Sequence, residues 1–139
     1  MKESKNNVIT KLLIISLVIL CSCCKNNDAE NIKFNNGILE SDNINFNFGN
    51  INKENCNSVD FAFTLRNLLS KRVDITKVES TCNCVEINEY PKYIEKLGTV
   101  KIYGKVDIKN FSGPISKPIF LTYNGKEIIV LRIKGNILP

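Results

Sequence analysis

The chain reads as an all-β protein, a two-sheet antiparallel sandwich of about seven short strands preceded by an export leader. Three observations predict it. Apolar residues recur at every second position from Ile38 onward, the period that puts one strand face in a core and the other in water. Turn-forming clusters break these runs at intervals of roughly 8–12 residues, a spacing typical of sandwiches. No segment after the leader repeats at helical spacing.

The leader comes first. Lys2, Lys5 and Lys11 stand against the single Glu3, and Leu12–Leu20 follows as nine residues without a charge. A basic start followed by a short apolar run is the pattern of a secretory signal. Nine helical residues span only ~14 Å, less than half of a ~30 Å hydrocarbon core, so a spanning anchor is not expected. Leu20-Cys21-Ser22-Cys23 then resembles the bacterial lipobox. The resemblance implies a diacylglyceryl group on the Cys23 thiol, cleavage between Ser22 and Cys23, and acylation of the new amine by a fatty acid such as palmitate. Cys21 fits less well after the bulky Leu20, and Cys24 lacks an aliphatic residue three positions earlier. Acyl chains contribute ~0.8 kcal/mol per buried CH₂, which holds a soluble domain on a membrane. Residues 1–22 are therefore expected to be a lipoprotein signal, residues 23–37 a tether rich in Asn and charge, and residues 38–139 the folded domain.

The strands follow in order. Ile44, Phe46 and Phe48 alternate with Asn45 and Asn47; Val59, Phe61, Phe63 and Leu65 alternate with Asp60, Ala62 and Thr64. Val73, Ile75 and Val78 make a third run, and Val100, Ile102, Gly104, Val106 and Ile108 a fourth. Ile119, Leu121 and Tyr123 precede the closing Ile129, Leu131 and Ile133. Turns are expected at Asn67–Lys71, Lys96–Gly98, Ser112–Pro114 and Tyr123–Lys126. Asn124-Gly125 is the strongest of these hairpin signals because both residues tolerate φ > 0.

Phe48-Gly49, Phe63-Thr64-Leu65-Arg66-Asn67, the run Val73 to Thr81-Cys82-Asn83-Cys84, and Leu131-Arg132-Ile133-Lys134-Gly135 together resemble the domain-of-unknown-function family 1573. The resemblance spans about Asn43 to Ile137. It implies an immunoglobulin-like β-sandwich of Gram-negative lipoproteins, related in shape to modules of the major-sperm-protein type, with no established activity. The family places Gly between the two cysteines, where this chain has Asn83; Asn is the next-best residue for a left-handed turn. Its Pro-Gly-Glu turn is replaced by Lys96-Leu97-Gly98.

Composition narrows the chemistry. The chain contains no His, which removes every Ser-His, Cys-His and His-metal arrangement. The formal charge is +5, and loss of the leader takes away three Lys and one Glu, leaving +3. That is too little to argue for nucleic acid. No residue pattern asks for a cofactor, and Glu86, Glu89 and Glu95 read as solvated loop acids. Cys56, Cys82 and Cys84 carry the remaining chemistry. In a regular strand, residues i and i+2 lie roughly 6–7 Å apart, so Cys82 and Cys84 bridge only if Asn83 turns the chain. Cys56 belongs to a loop at the same pole and is a second candidate partner. Buried small residues, a disulfide, and a soft-metal site for Cu(I) all stay open, with Lys77, Lys92 and Lys96 as possible neighbours lowering a thiol pKa.

The function expected is a non-enzymatic envelope lipoprotein, membrane-anchored through Cys23 and placed at the outer membrane. Its sandwich would bind a protein or glycan or scaffold a complex, with the edge of the last strand, Glu127–Lys134, open to β-augmentation. The alternative is a thiol site at Cys82 and Cys84 for copper or disulfide redox chemistry.

Overall fold

The computed structural model describes residues 31–139. The leader, Cys21, Cys23 and Cys24 lie outside the described residues. The strands are β1 (Phe34–Asn35), β2 (Leu39–Ser41), β3 (Asn45–Asn52), β4 (Ser58–Asn67), β5 (Val73–Ser80), β6 (Val85–Ile87), β7 (Tyr93–Ile94), β8 (Thr99–Asp107), β9 (Gly113–Tyr123) and β10 (Glu127–Leu138). They build two five-stranded sheets, β1-β2-β4-β8-β6 and β3-β10-β9-β5-β7. The six long strands coincide with the alternating runs of the sequence. The other four have two or three residues each, too few to display a period. One pair departs from the antiparallel expectation: β3 runs parallel to β10.

The ordered chain also begins earlier than residue 38. Phe34 packs against the core, and β1 lies inside the stretch expected to be tether. The asparagines there make a turn rather than a solvated spacer. Asn35 Oδ1 accepts the Gly37 N–H at 2.9 Å, and Asn36 Oδ1 accepts the Leu39 N–H at 2.9 Å. Such local side-chain bonds replace a backbone turn.

Alternation puts Val59, Phe61, Phe63 and Leu65 of β4 and Ile102 and Val106 of β8 on the inner face of one sheet. They meet Val73, Ile75, Ile119, Leu121, Tyr123, Ile129, Leu131 and Ile133 from the other, all buried. Gly104 is a void made for Phe61: a Cβ there would overlap the ring and the Glu86 carbonyl. In β3 the inward face shifts from Phe48 to Ile51, because Gly49 adopts φ 72° and a bulge interrupts the register with β10.

The chain changes sheet repeatedly, and two of these crossings shape the surface. Between β2 and β3, Ile44 donates its N–H to the Ile32 carbonyl at 3.0 Å and accepts the Arg132 N–H at 2.8 Å, so one residue bonds to both layers. The bend before it is held by Ser41 Oγ donating to the Asn43 carbonyl at 2.9 Å and Asn43 Oδ1 accepting the Asn45 N–H at 2.8 Å. The other of these crossings joins β5 to β6 through Thr81–Cys84. Ser80 Oγ fixes its near end on the Pro118 carbonyl at 2.8 Å, and the Asp107 N–H fixes its far end on the Cys84 carbonyl at 2.8 Å.

At the opposite end of the sandwich, buried Asn67 ties three segments together. Its Nδ2 donates to the carbonyls of Lys71, Ile94 and Glu95 at 2.7, 3.2 and 3.0 Å, and its Oδ1 accepts the Leu69 N–H at 2.9 Å. Asn67→Ala would strip partners from four backbone groups in a water-poor site. It is expected to cost roughly 2–4 kcal/mol in denaturant unfolding with no change of fold. A loss under ~1 kcal/mol would show the amide to be dispensable.

Candidate functional site

Two places in the domain are built differently from a plain sandwich surface. One is the β5–β6 corner that carries the cysteines. Cys82 and Cys84 lie at disulfide distance from one another, with Cα atoms 5.1 Å apart. The Val85 N–H donates to the Cys82 carbonyl at 3.0 Å, closing a four-residue turn around Asn83, and the Cys84 N–H points at Cys82 Sγ at 3.3 Å. This turn brings i and i+2 sulfurs together where an extended strand would hold them apart. Asn83 does not take a left-handed conformation, since the only non-Gly residues with positive φ among the described residues are Leu97 and Asn124. The expected left-handed requirement between the cysteines is therefore corrected: the turn closes with ordinary φ.

Cys56 stands in the β3–β4 loop, half-buried and unpaired, its thiol donating to the Ser58 carbonyl at 2.8 Å. It does share a pole with the other cysteines. The Ile108 N–H bonds to Asn57 on one side of the end of β8, and the Asp107 N–H bonds to Cys84 on the other. Cys56 and Cys84 thus flank β8 from opposite sides, about two strand spacings or ~10 Å apart. The basic residues expected beside the thiols are elsewhere. The Lys92 carbonyl accepts the Ile75 N–H near the start of β5, Lys96 lies in the turn before β8, and Lys77 is bridged to Glu79 at 2.7 Å. The candidate acids do not converge either: Glu86 sits opposite Lys105 on β6, and Glu95 lies at the far pole. Among the described residues no three acids or cysteines gather as a metal-ligand cluster.

The second place is the outer edge of β4. On its inner side β4 pairs with β8 from Ser58 to Arg66, but on its outer side β2 covers only Arg66 and Asn67. The Leu68 N–H bonds outward to Ile38 at 2.8 Å and the Asn67 N–H bonds inward to Gly98 at 2.9 Å. Strand alternation then turns the N–H and C=O groups of Asp60, Ala62 and Thr64 outward. No strand among the described residues lies on that side from Ser58 to Leu65. The seam beside it holds a cleft of about 170 Å³ between the Ser41–Asn43 bend and Ala62–Thr64, lined also by Phe46. Phe46 closes the core there, its ring 6.3 Å from Phe61 and 6.5 Å from Phe63 between centroids.

The edge expected to be open, Glu127–Lys134, is open in part. β9 pairs along all of β10 to Ile137, and β3 takes the other side from Arg132 onward. Only Glu127–Leu131 stays open on that side. Sequence reading missed the β4 edge because β4 has the alternation of an interior strand. The signal that marks it is Ser41-Asp42-Asn43, a run of turn formers between two apolar stretches, where the neighbouring strand leaves the sheet.

Comparison with known proteins follows the geometry. A crystal structure of a Porphyromonas gingivalis W83 protein of unknown function superposes with a TM-score of 0.61 at 15% identity. It covers 72% of this chain and 46% of that one, so the chain spans under half of its length. The seventh PapD-like domain of human CEP192 gives a TM-score of 0.59 at 11% identity, covering 82% of this chain and 94% of that domain. WR4, a major-sperm-protein family member from C. elegans, gives 0.51 at 13% identity over 73% of this chain and 99% of that one. These likenesses establish the immunoglobulin-like fold. No match was found among the curated proteins. The sequence profile of a protein family of unknown function, DUF1573, matches residues 39–137, and with that span the chain belongs to the DUF1573 family.

Proposed function

We propose that the mature protein is a lipid-anchored, non-catalytic envelope module that captures an extended polypeptide segment on the open edge of β4. The observation that carries this reading is the row of outward N–H and C=O groups on Asp60, Ala62 and Thr64, set beside a cleft. The uncovered stretch Ser58–Thr64 is about 23 Å long at ~3.3 Å per residue, room for a strand of ordinary length. Strand addition draws affinity from backbone bonds and specificity from alternate side chains. A polypeptide is favoured over a glycan because the edge offers donors and acceptors at peptide spacing. The exposed side chains there, Asp60, Ala62 and Thr64, are small or polar, and none is a general base paired with a nucleophile. The lipobox at Leu20–Cys23 supports anchoring through Cys23 and placement at the outer membrane.

The Cys82–Cys84 pair favours a second reading, disulfide exchange. A loop of three residues contributes only ~1.6 kcal/mol in the chain-entropy account, less than structural disulfides of small secreted domains. Both cysteines are half-buried rather than sealed in the core, so an attacking thiolate has access. Cu(I) would need the two sulfurs reduced and apart.

Three measurements test these readings. Radiolabelled palmitate is expected to enter the wild-type chain and to be absent from Cys23→Ser, whose leader stays attached; equal labelling would remove the anchor from Cys23. Panning a displayed library of linear peptides is expected to yield binders that perturb the backbone resonances of Asp60, Ala62 and Thr64. Ala62→Pro removes a donor that makes no internal bond, so it should abolish that binding while shifting stability by less than ~1 kcal/mol. Binders that map to another surface would contradict the edge. Lastly, thiol titration of the unfolded, unreduced domain should find one free thiol among its three cysteines. Cys82→Ser with Cys84→Ser should cost about 1–2 kcal/mol. Three free thiols would end the exchange reading.

A further inference from the structure

The end of the sandwich formed by Leu68–Arg72, Glu95–Gly98 and Asn124–Lys126 is unlike the rest of the surface. The first two loops are bonded to each other, the Leu97 N–H donating to the Leu69 carbonyl at 3.0 Å, and the third to β5, the Asn124 N–H donating to the Asp74 carbonyl at 2.9 Å. Leu97 stands at the tip with φ 54° and a relative exposure of 66%. A γ-branched apolar residue in the left-handed region is disfavoured by sterics, and its exposure to water adds to the cost. Gly would remove both penalties, so the retained strain points to a role for the side chain outside the fold. Tyr93 in β7, four residues earlier in the chain, is also exposed at 43% and lies under the Arg72 guanidinium, 5.0 Å from the ring centre.

Cations outnumber acids at this end. Lys71, Arg72, Lys92, Lys96 and Lys126 project at this end, against Asp74, which is bridged to Arg72 at 2.9 Å, and Glu95 and Glu127. The opposite pole carries fewer cations, Lys53, Lys109 and Lys117 over the Phe111 ring at 4.0 Å, against Glu54 and Asp107. An exposed leucine and tyrosine on an end with surplus cations is the chemistry of an interfacial contact with anionic headgroups. The apolar tips enter the headgroup boundary, and each nearby Lys or Arg adds attraction.

The geometry points to this loop pole as a docking surface for an anionic lipid bilayer, which would hold the domain in a fixed orientation on its membrane. The inference rests on the anchored reading above for the identity of that membrane. Strand pairing puts Ile32 near the level of Phe63, four residues above Asn67, which is ~13 Å from this end of β4. The span from Cys23 to Ile32 extends to ~30 Å at most, enough for an anchor beside the pole. β4 then stands with its open edge rising from the bilayer, turned sideways to the surrounding space.

The test uses the unacylated domain, residues 31–139. It buries a core of its own, and no buried side-chain N or O atom lacks a partner, so it folds without its anchor. In co-sedimentation it is expected to bind vesicles of phosphatidylethanolamine with phosphatidylglycerol, to ignore vesicles of phosphatidylcholine alone, and to release with added salt. Lys71→Ser and Lys96→Ser should each weaken partitioning roughly fivefold. Leu97→Gly should raise Tm, because φ > 0 suits Gly, while lowering vesicle binding; a residue with a structural role alone would not move the two in opposite directions. Equal binding to neutral vesicles, indifference to Lys96 and Leu97, or cross-linking of this pole to a protein in place of vesicle binding would overturn the proposal. Because no acyl chain is involved, failure here leaves palmitate labelling of Cys23 untouched, and failure of labelling leaves this result standing.

Discussion

One residue, Ile44, hydrogen-bonds into both layers of the sandwich, and much of the surface follows from that crossing. Two sheets that share a single core must be joined by chain that passes between them, and that chain can cover only one sheet edge at a time. By leaving β4 at Ser41 and joining β10 at Asn45, the N-terminal strand seals the far side of one sheet and abandons the near side of the other. The hydrophobic cost of the resulting seam is limited by Phe46, whose ring packs on Phe61 and Phe63 behind the gap. The core stays closed behind the seam while the backbone edge of β4 stays available outside.

The crossing from β5 to β6 is solved differently. Between β5 and β6 the chain has only Thr81–Cys84 in which to change sheets, and it does so with a turn drawn tight by two sulfurs. β6 has three residues and pairs with β8 over those alone. A short edge strand of this kind is a common way to blunt an otherwise adhesive edge. β4 is not blunted in that way: its outward-bonding residues are Asp60, Ala62 and Thr64, with one charge and no proline. The contrast between the two edges is what singles out one of them as the proposed site.

The long strands were legible in the sequence because burial of one face imposes period two, as in Val59-Phe61-Phe63-Leu65 and Ile129-Leu131-Ile133. The hairpin at Asn124-Gly125 was legible because both residues take φ > 0, and both do. What stayed hidden depends on partners far away in the chain. Phe34 looked like part of a solvated spacer until Ser41 and the core received it. The parallel pairing of β3 with β10 cannot be inferred from either strand. The open edge is a property of where β2 stops, which Ser41-Asp42-Asn43 marks only in hindsight. The cysteine corner was half legible: the spacing demanded a turn, but the turn formed with ordinary φ at Asn83, and Cys56 ended on the other side of β8.

Membership of the DUF1573 family and likeness to PapD-like and major-sperm-protein domains account for the scaffold, and the exposed β4 edge accounts for what the scaffold offers. The most direct check is native-state amide hydrogen exchange along β4. The N–H groups of Asp60, Ala62 and Thr64 should exchange nearly as fast as unstructured amides, while those of Phe61, Phe63 and Leu65, bonded to β8, should be protected to the level of global unfolding. Strong protection of both sets would mean that another segment already occupies the edge, and the binding account would fail.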